Sequence, residues 1–282
     1  MKNSFEHIER IMKPFREMQE RLKPALEAQK KIEHLKTIQK SFENIGKIYA
    51  SSMPKFNNAF LEQLKSFKEI ANRLKEYEEK TPDYLLLIAQ NGWYLEFNCE
   101  MKLPSEIAKD FEADKSDVAN KKMIEYYTEN LDRIFKELSS RHINRKKIFE
   151  QILSGFKRGE YYTIIPCILS QVDGICFDFT KKKFFIKEKT NKYLPQISSE
   201  LEKSAGNFVA IYLSPLRNQT PIMVQEKQIS EFPCKLNRHE ILHGINTEYG
   251  TKENSLKVIS LLKYISDLLV EIDRKNNLQP IK

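Results

Sequence analysis

The sequence predicts an all-α protein. Only 8 of its 282 residues are glycine, and the helix-favouring residues lysine, glutamate, leucine and isoleucine are abundant. Over long stretches the apolar residues recur at alternating spacings of three and four, which is the period of an amphipathic helix. A hydrophobic content of 40% is sufficient for a sizeable core in one large domain or two smaller ones.

Residues 1–80 are expected to form amphipathic, coiled-coil-like helices. Their apolar residues follow the helical spacing and then resume in a shifted phase: Ile8, Ile11, Phe15, Met18, Leu22 and Ala25, then Leu35, Ile38, Phe42, Ile45 and Tyr49. Pro14 and Pro24 each remove a helix hydrogen bond, so we expect kinks or separate short helices there. A further helix is predicted after Pro54, and the sequence KTPD at 80–83 marks a boundary.

Residues 81–140 are predicted to be a helical linking segment. They contain the apolar sequence YLLLIAQNGWYLEF, a short polar stretch, and the apolar positions of one helix at Met123, Tyr127, Leu131, Ile134 and Leu138. Trp93, the only tryptophan, follows an Asn-Gly turn and is expected to anchor the core.

Residues 141–282 are predicted to form a C-terminal helical bundle. A nearly continuous apolar stripe over 164–179 indicates a long buried helix. Between 184 and 230 the sequences FFI and FVAIYL could form a few short strands. The chain then closes with two helices. The first carries RHEILH and ends at Gly244, a typical C-terminal glycine, and the second begins near Thr251, a typical N-cap.

Charge and cysteine usage restrict the class of protein. The net charge of +8 and pI near 9.1 favour polyanionic partners, although 47 basic against 39 acidic residues is a moderate excess. The first residues lack the apolar core of a secretory signal, and the longest apolar runs fall short of the roughly 20 residues that span a bilayer. We therefore expect a cytoplasmic protein with no membrane partner. The four cysteines show no C-x-x-C spacing, so neither structural zinc nor disulfides are expected.

The sequence LNRHEILHGINTEYG contains two overlapping chemical motifs, and the first is that of a zinc metallopeptidase. His239, Glu240 and His243 match H-E-x-x-H, in which two imidazoles bind zinc and the glutamate is the general base. The positions where a metzincin has glycine and a further histidine hold Asn246 and Tyr249. The downstream candidates for a third ligand lie in no recognisable motif: Glu248, Glu253, Asp267 and Glu271. The zinc peptidase is therefore the less favoured interpretation.

The second motif, R-x-x-x-x-H, is formed by Arg238 and His243 and is typical of RNA cleavage without a metal or another cofactor. The RNA supplies its own 2′-hydroxyl as the nucleophile. A histidine with a pKa near 6.5 can act as base or acid, and a guanidinium offsets the charge that develops on the phosphate. Because residues five apart on a helix differ by about 140° in direction, one copy presents this pair poorly to one phosphate. Two copies related by a two-fold axis would form a composite cleft, which predicts a homodimer.

The sequence NRHEILHG, with TEYGTKENSLKVISLLKYI after it and YYTIIPCILSQVDGI before it, resembles the HEPN superfamily over roughly residues 141–275. This resemblance is closest to bacterial members linked to abortive infection and toxin–antitoxin defence. It implies an all-helical, dimeric, metal-independent endoribonuclease that acts in phage defence or as a toxin, with Arg238 and His243 as catalytic residues. The implied partners are RNA and an antitoxin or another trigger. Some proteins of this type are inactive, so a catalytically inactive RNA- or protein-binding module is the alternative.

Several neighbouring residues are candidates for supporting roles. His239 occupies the polar position after the family's arginine and could share the acid–base work of His243, while Asn237 directly precedes the pair. Asp173 lies at the edge of the apolar helix, where its carboxylate needs a partner and could orient Arg238 or a histidine. Gly174 beside it would permit a close approach to the helix.

A run of three lysines follows the long apolar helix, and three further histidines lie elsewhere in the chain. Lys181, Lys182 and Lys183 are candidate RNA-binding residues, although a lysine run is more often a solvated surface. The remaining histidines are also expected to lie at the solvated surface: His7, His34 and His142.

Overall fold

The computed structural model describes residues 75–187, 195–198, 201–202 and 207–278. This part of the chain is mostly helical, and it confirms the all-α prediction. Residues Lys80–Lys282 form one compact unit, so the predicted linking segment shares a unit with the C-terminal region. The coiled-coil-like helices predicted for 1–80 lie almost wholly outside the described residues.

Nine helices are numbered here in chain order within the described residues. They are α1 (75–90), α2 (Leu103–Glu112), α3 (Ser116–Glu129), α4 (Leu131–Arg141), α5 (Lys146–Lys157), α6 (Tyr161–Thr180), α7 (Asn207–Tyr212), α8 (Arg238–Leu242) and α9 (Lys252–Leu278). Three short 3-10 turns connect them at Ile143–Arg145, Ser214–Leu216 and Glu226–Glu231.

Helix α9 is the central element of this unit. Every residue from 255 to 269 is buried, and α9 packs most extensively on α6 while also contacting α3, α4 and α7. Thr251 caps its N-terminus, because the Thr251 hydroxyl accepts a hydrogen bond from the backbone of Asn254 at 3.1 Å. The predicted start of this helix is therefore confirmed.

Although residues 255–269 of α9 are all buried, they include charged side chains, and Lys263 lies at the centre of an ionic network. Its ammonium group is 2.7 Å from both carboxylate oxygens of Asp267, 3.0 Å from Glu96 and 3.2 Å from Glu137. The side chains of Lys263, Asp267 and Glu96 are all completely buried. A charge in such a position is strongly destabilising unless it is paired, and here each charge faces an opposite one.

Two arginines from α4 complete this network. Arg141 forms an ion pair with Asp267, and Arg133 forms one with Glu96. The hydroxyl of Tyr126 donates a third hydrogen bond to Glu96 at 2.7 Å. The network therefore connects the segment after α1 to α3, α4 and α9, and it fixes how these elements pack.

The network also shifts the pKa values of its members. Burial alone would raise the pKa of Glu96, but Lys263 and Arg133 outweigh it and lower the pKa to about 2. Burial alone would lower the pKa of Lys263, but Asp267 and Glu96 raise it above its ordinary value. The lowered pKa of Glu96 and the raised pKa of Lys263 keep these two buried groups charged at neutral pH.

His142 is buried, so the prediction of a surface position for this histidine is wrong. Its Nε2 atom lies 2.8 Å from the hydroxyl of Ser266 on α9. Burial, together with the positive charges of the adjacent Arg141 and Arg145, lowers the pKa of His142 to about 4. The imidazole became an interior group because α4 ends against α9, a contact that the local sequence does not indicate.

The buried imidazole predicts a specific acid sensitivity. The folded state keeps His142 neutral down to about pH 4, whereas the unfolded chain takes up the proton near pH 6.5. Its contribution to stability is therefore complete above pH 6.5 and is lost as the pH falls towards 4. We expect the free energy of unfolding to fall by about 3 kcal/mol across this window. Urea unfolding at pH 7.5 and pH 4.5 measures the loss, and His142→Gln should reduce it. An equal loss in the variant would contradict this role.

The single helix predicted around Met123 to Leu138 is instead two helices. α3 ends at Glu129 and α4 begins at Leu131, with Asn130 between them. The Asn130 side chain donates a hydrogen bond to a backbone carbonyl of the preceding turn at 2.8 Å, which competes with continuation of the helix. Trp93 is completely buried, as predicted for a core anchor.

The short strands suggested for 184–230 are not found in the described part of that region. It contains one isolated bridge, between Lys187 and Pro195, and the sequence FVAIY lies within the helix α7. A short apolar run does not distinguish a strand from one buried helical turn by its periodicity. The packing of α7 on α9 selects the helix.

Helix α6 matches the predicted long apolar helix, and the turn before it contains Gly159 with φ +78°. By length and composition α6 is the one helix among the described residues that could cross a membrane. Buried core helices of other proteins meet the same criterion.

Arg145 lies across the surface of α6 at Gly174, where an added Cβ would overlap the guanidinium. The same guanidinium bonds Gln171 at 2.8 Å and Asp178 at 2.9 Å. The close approach at Gly174 is therefore made by an arginine side chain and not by a second helix.

Candidate functional site

The short helix α8 carries both sequence motifs, and Asn237 fixes its start. This side chain is completely buried, and its oxygen accepts hydrogen bonds from the backbone of His239 at 2.9 Å and of Glu240 at 3.2 Å. Its amide group donates to the carbonyls of Pro221 at 2.8 Å and Val224 at 3.1 Å. Because every polar atom of Asn237 is occupied, its supporting role is to anchor α8 and not to contact a ligand.

Arg238 is the first residue of α8, and its guanidinium lies over the ring of Phe185 at 5.2 Å from the centroid. Its Nε atom is buried and has no hydrogen-bond partner, and no carboxylate among the described residues pairs with the guanidinium. A guanidinium without a carboxylate partner retains N–H donors for an anion.

Asp173 is connected to Arg238 indirectly. Its carboxylate accepts a hydrogen bond from the backbone of Phe185 at 2.9 Å, and the Phe185 ring supports the guanidinium. Asp173 therefore holds the segment after α6 in place, and no contact between its carboxylate and a histidine is found among the described residues. Sequence reasoning missed Phe185, because an aromatic residue after a lysine run gives no local indication that it will meet residue 238.

His243 lies at the C-terminal end of α8, and the chain turns sharply after it. Gly244 has φ +70°, and its backbone donates to Ile241 at 3.2 Å, while that of Ile245 donates to Glu240 at 2.8 Å. These two bonds form a Schellman motif, which satisfies the last carbonyls of the helix. The predicted termination at Gly244 is confirmed, and the turn leaves His243 exposed.

The two histidines of α8 are neighbours on its exposed surface. The ring centroids of His239 and His243 are 4.3 Å apart and the ring planes are tilted by 57°. Both side chains are exposed, whereas the intervening Glu240 is half-buried. The site therefore presents two imidazoles together, with Arg238 directly before His239 at the start of the same short helix.

The segment after α8 folds back onto the start of α6. The hydroxyl of Tyr249 donates to the backbone of Tyr162 at 3.0 Å, and the two rings meet edge to face. A side chain at Gly250 would overlap the ring of Tyr162, so this contact requires glycine. Leu242 and Ile245, which flank His243, are 42% and 52% exposed, so apolar surface adjoins the site.

The lysine run follows the end of α6, where Lys181 adopts the left-handed conformation with φ 58°. Lys181 and Lys183 are exposed and Lys182 is half-buried. The run ends two residues before Phe185, so the lysines belong to the same chain segment as the ring that contacts Arg238.

The third ligand required by the zinc peptidase interpretation is not found among the described residues, which contain no group of three or more His, Cys, Asp or Glu side chains placed to share a metal ion. Two of the downstream candidates have other partners. Glu253 pairs with Lys257 at 2.8 Å, and Asp267 belongs to the buried network.

Comparison with known proteins adds no relative: no family model, no curated protein and no solved structure matches this chain. The site must be interpreted from its own geometry.

Proposed function

We propose that this protein is a metal-independent endoribonuclease of the HEPN type, which cleaves RNA in bacterial phage defence or as a toxin. The observation that carries the proposal is the unpaired guanidinium of Arg238 on the same short, anchored helix as the exposed imidazoles of His239 and His243. A cation free to take a phosphate and an imidazole free to move protons are the minimum requirements for this reaction.

In the proposed reaction the 2′-hydroxyl of the RNA attacks the adjacent phosphorus. An imidazole accepts the hydroxyl proton, and a proton returns to the departing 5′-oxygen as its bond to phosphorus breaks. Arg238 offsets the charge that builds on the phosphate oxygens. The products are a 2′,3′-cyclic phosphate and a 5′-hydroxyl, and no water or external nucleophile enters this step.

This chemistry predicts the ends of the product. Purified protein incubated with RNA in EDTA should leave 2′,3′-cyclic phosphate ends, because the nucleophile belongs to the substrate. Mass spectrometry of the fragments identifies these ends directly. Complete loss of cutting in EDTA, with rescue by stoichiometric zinc, would instead support the metallopeptidase class of site.

We further propose that two copies form the working site. Arg238 and His243 occupy opposite ends of α8, and residues five apart on a helix point about 140° apart. The exposed Leu242 and Ile245 supply apolar surface beside His243 for a second copy. A two-fold axis at this surface would bring the arginine of one copy towards the histidine of the other.

The composite site predicts complementation between inactive chains. Mixing Arg238→Ala protein with His243→Ala protein should restore part of the activity, because one cleft of the heterodimer keeps one arginine and one histidine. The activity of the mixture should exceed that of either variant alone at the same total concentration. Sedimentation of the wild-type protein under assay conditions is the control, and a fully active monomer would contradict the composite site.

A further inference from the structure

His239 and His243 form a pair of exposed imidazoles that the proposed cutting reaction does not fully use. They lie four residues apart, at the second residue and at the C-cap of α8, so the helix itself holds them on one face. The Asn237 cap and the Schellman turn at Gly244 fix the two ends of this helix. The pair is therefore arranged by the fold before any ligand arrives.

The separation of the two rings suits a shared metal ion. A ligating imidazole places its ring centroid about 3.2 Å from the ion, given a metal–nitrogen distance of about 2.1 Å. With centroids 4.3 Å apart, and with one nitrogen of each ring turned to the same ion, the rings would subtend about 85° there, and rotation of the exposed side chains would widen this towards the tetrahedral angle. Both side chains are exposed, so an ion can reach them from solvent.

The donor set points to a transition metal. Two neutral imidazoles suit Zn²⁺, Cu²⁺ and Ni²⁺ and do not suit Mg²⁺ or Ca²⁺, which prefer oxygen ligands. The described residues contain no third protein ligand placed to share the ion, so water would complete its coordination. An ion held in this way binds one nitrogen of each imidazole. The same nitrogen would accept the proton in the proposed cutting reaction, so the ion and the proton compete for it.

We propose that His239 and His243 bind one divalent transition-metal ion, with zinc as its representative, and that this ion inhibits the cutting of RNA. The binding site rests on the geometry of the imidazole pair alone. The inhibition rests in addition on the proposed ribonuclease function. Zinc is therefore an inhibitor at this helix and not the catalytic ion that the H-E-x-x-H pattern suggests.

The binding site is tested by calorimetric titration of the full-length protein with ZnCl₂ in the absence of RNA. We expect His239→Asn and His243→Asn each to weaken zinc binding by at least about tenfold, because each leaves one imidazole and no chelate. His34→Asn is the matched control, a histidine replaced elsewhere in the chain, and it should bind zinc as the wild type does. Unchanged zinc affinity in either α8 variant would overturn the site.

The inhibition is tested by adding zinc to the wild-type protein during RNA cutting and then removing it with EDTA. Cutting should fall as the site measured by calorimetry fills and should return fully after chelation. Zinc that occupies the site without slowing the reaction would overturn the inhibitory role. If the wild-type protein cuts no RNA, the inhibitory role fails together with the proposed function, whereas the titration still decides the metal site.

Discussion

The His243→Ala variant should cut RNA about 10²–10⁴ times more slowly than the wild type, the range that a positioned general acid or base contributes. His243 is exposed at the end of α8, and its backbone, not its side chain, forms the helix-ending bonds. The loss should therefore appear in the rate and not in the stability. Initial rates on one defined RNA, with thermal unfolding of each variant, measure both quantities.

Arg238→Ala should cause a loss of similar size, because the guanidinium has no carboxylate partner among the described residues and is available to the phosphate. Arg238→Lys separates charge from geometry. A lysine keeps the charge but lacks the planar fork that binds two phosphate oxygens, so partial activity is expected. Loss of folded protein in these variants would show that the contact with Phe185 is structural.

Glu240→Gln is the control that separates the two overlapping motifs. Glu240 is the general base of the peptidase interpretation, but it has no role in RNA cutting, so the Gln variant should retain the wild-type rate. A Gln variant as damaged as His243→Ala, with its fold intact, would contradict the ribonuclease assignment and favour zinc chemistry.

The local features of the candidate site were predictable from the sequence because neighbouring residues determine them. The end of α8 at Gly244 and the cap at Thr251 follow from the backbone freedom of glycine and the hydroxyl of threonine. The break at Asn130 was not predicted, because the apolar spacing of a helix continues on both sides of it. The helix is interrupted by the Asn130 side-chain amide, which donates a hydrogen bond to a backbone carbonyl.

The long-range contacts were not predictable from one sequence. Phe185 and Arg238 are separated by more than fifty residues, and neither carries a local sign of the other. The apolar periodicity of α9 indicated burial, but Lys263 within it could have pointed to solvent. Its pairing with Glu96 depends on how the segment after α1 meets α9, and no local sequence pattern indicates that contact.

The buried network predicts the largest effect on stability. Lys263→Met should lower the free energy of unfolding by about 3–5 kcal/mol, because it removes the completely buried cation of the network and leaves three carboxylates to share two arginines. Methionine has a similar length and suits an apolar interior, so the loss would come from charge and not from a cavity. The midpoint of urea unfolding at pH 7 measures the change, provided that the slope of the transition is unchanged.

An exposed ion pair provides the matched control. Lys157 lies 2.6 Å from Asp132, but their side chains are 53% and 74% exposed, so Lys157→Met should cost no more than about 1 kcal/mol. Adding Glu96→Gln to Lys263→Met removes one of the stranded charges and should recover part of the lost stability. If Lys263→Met costs no more than Lys157→Met, the interior charges are hydrated in solution and do not hold α9 in place.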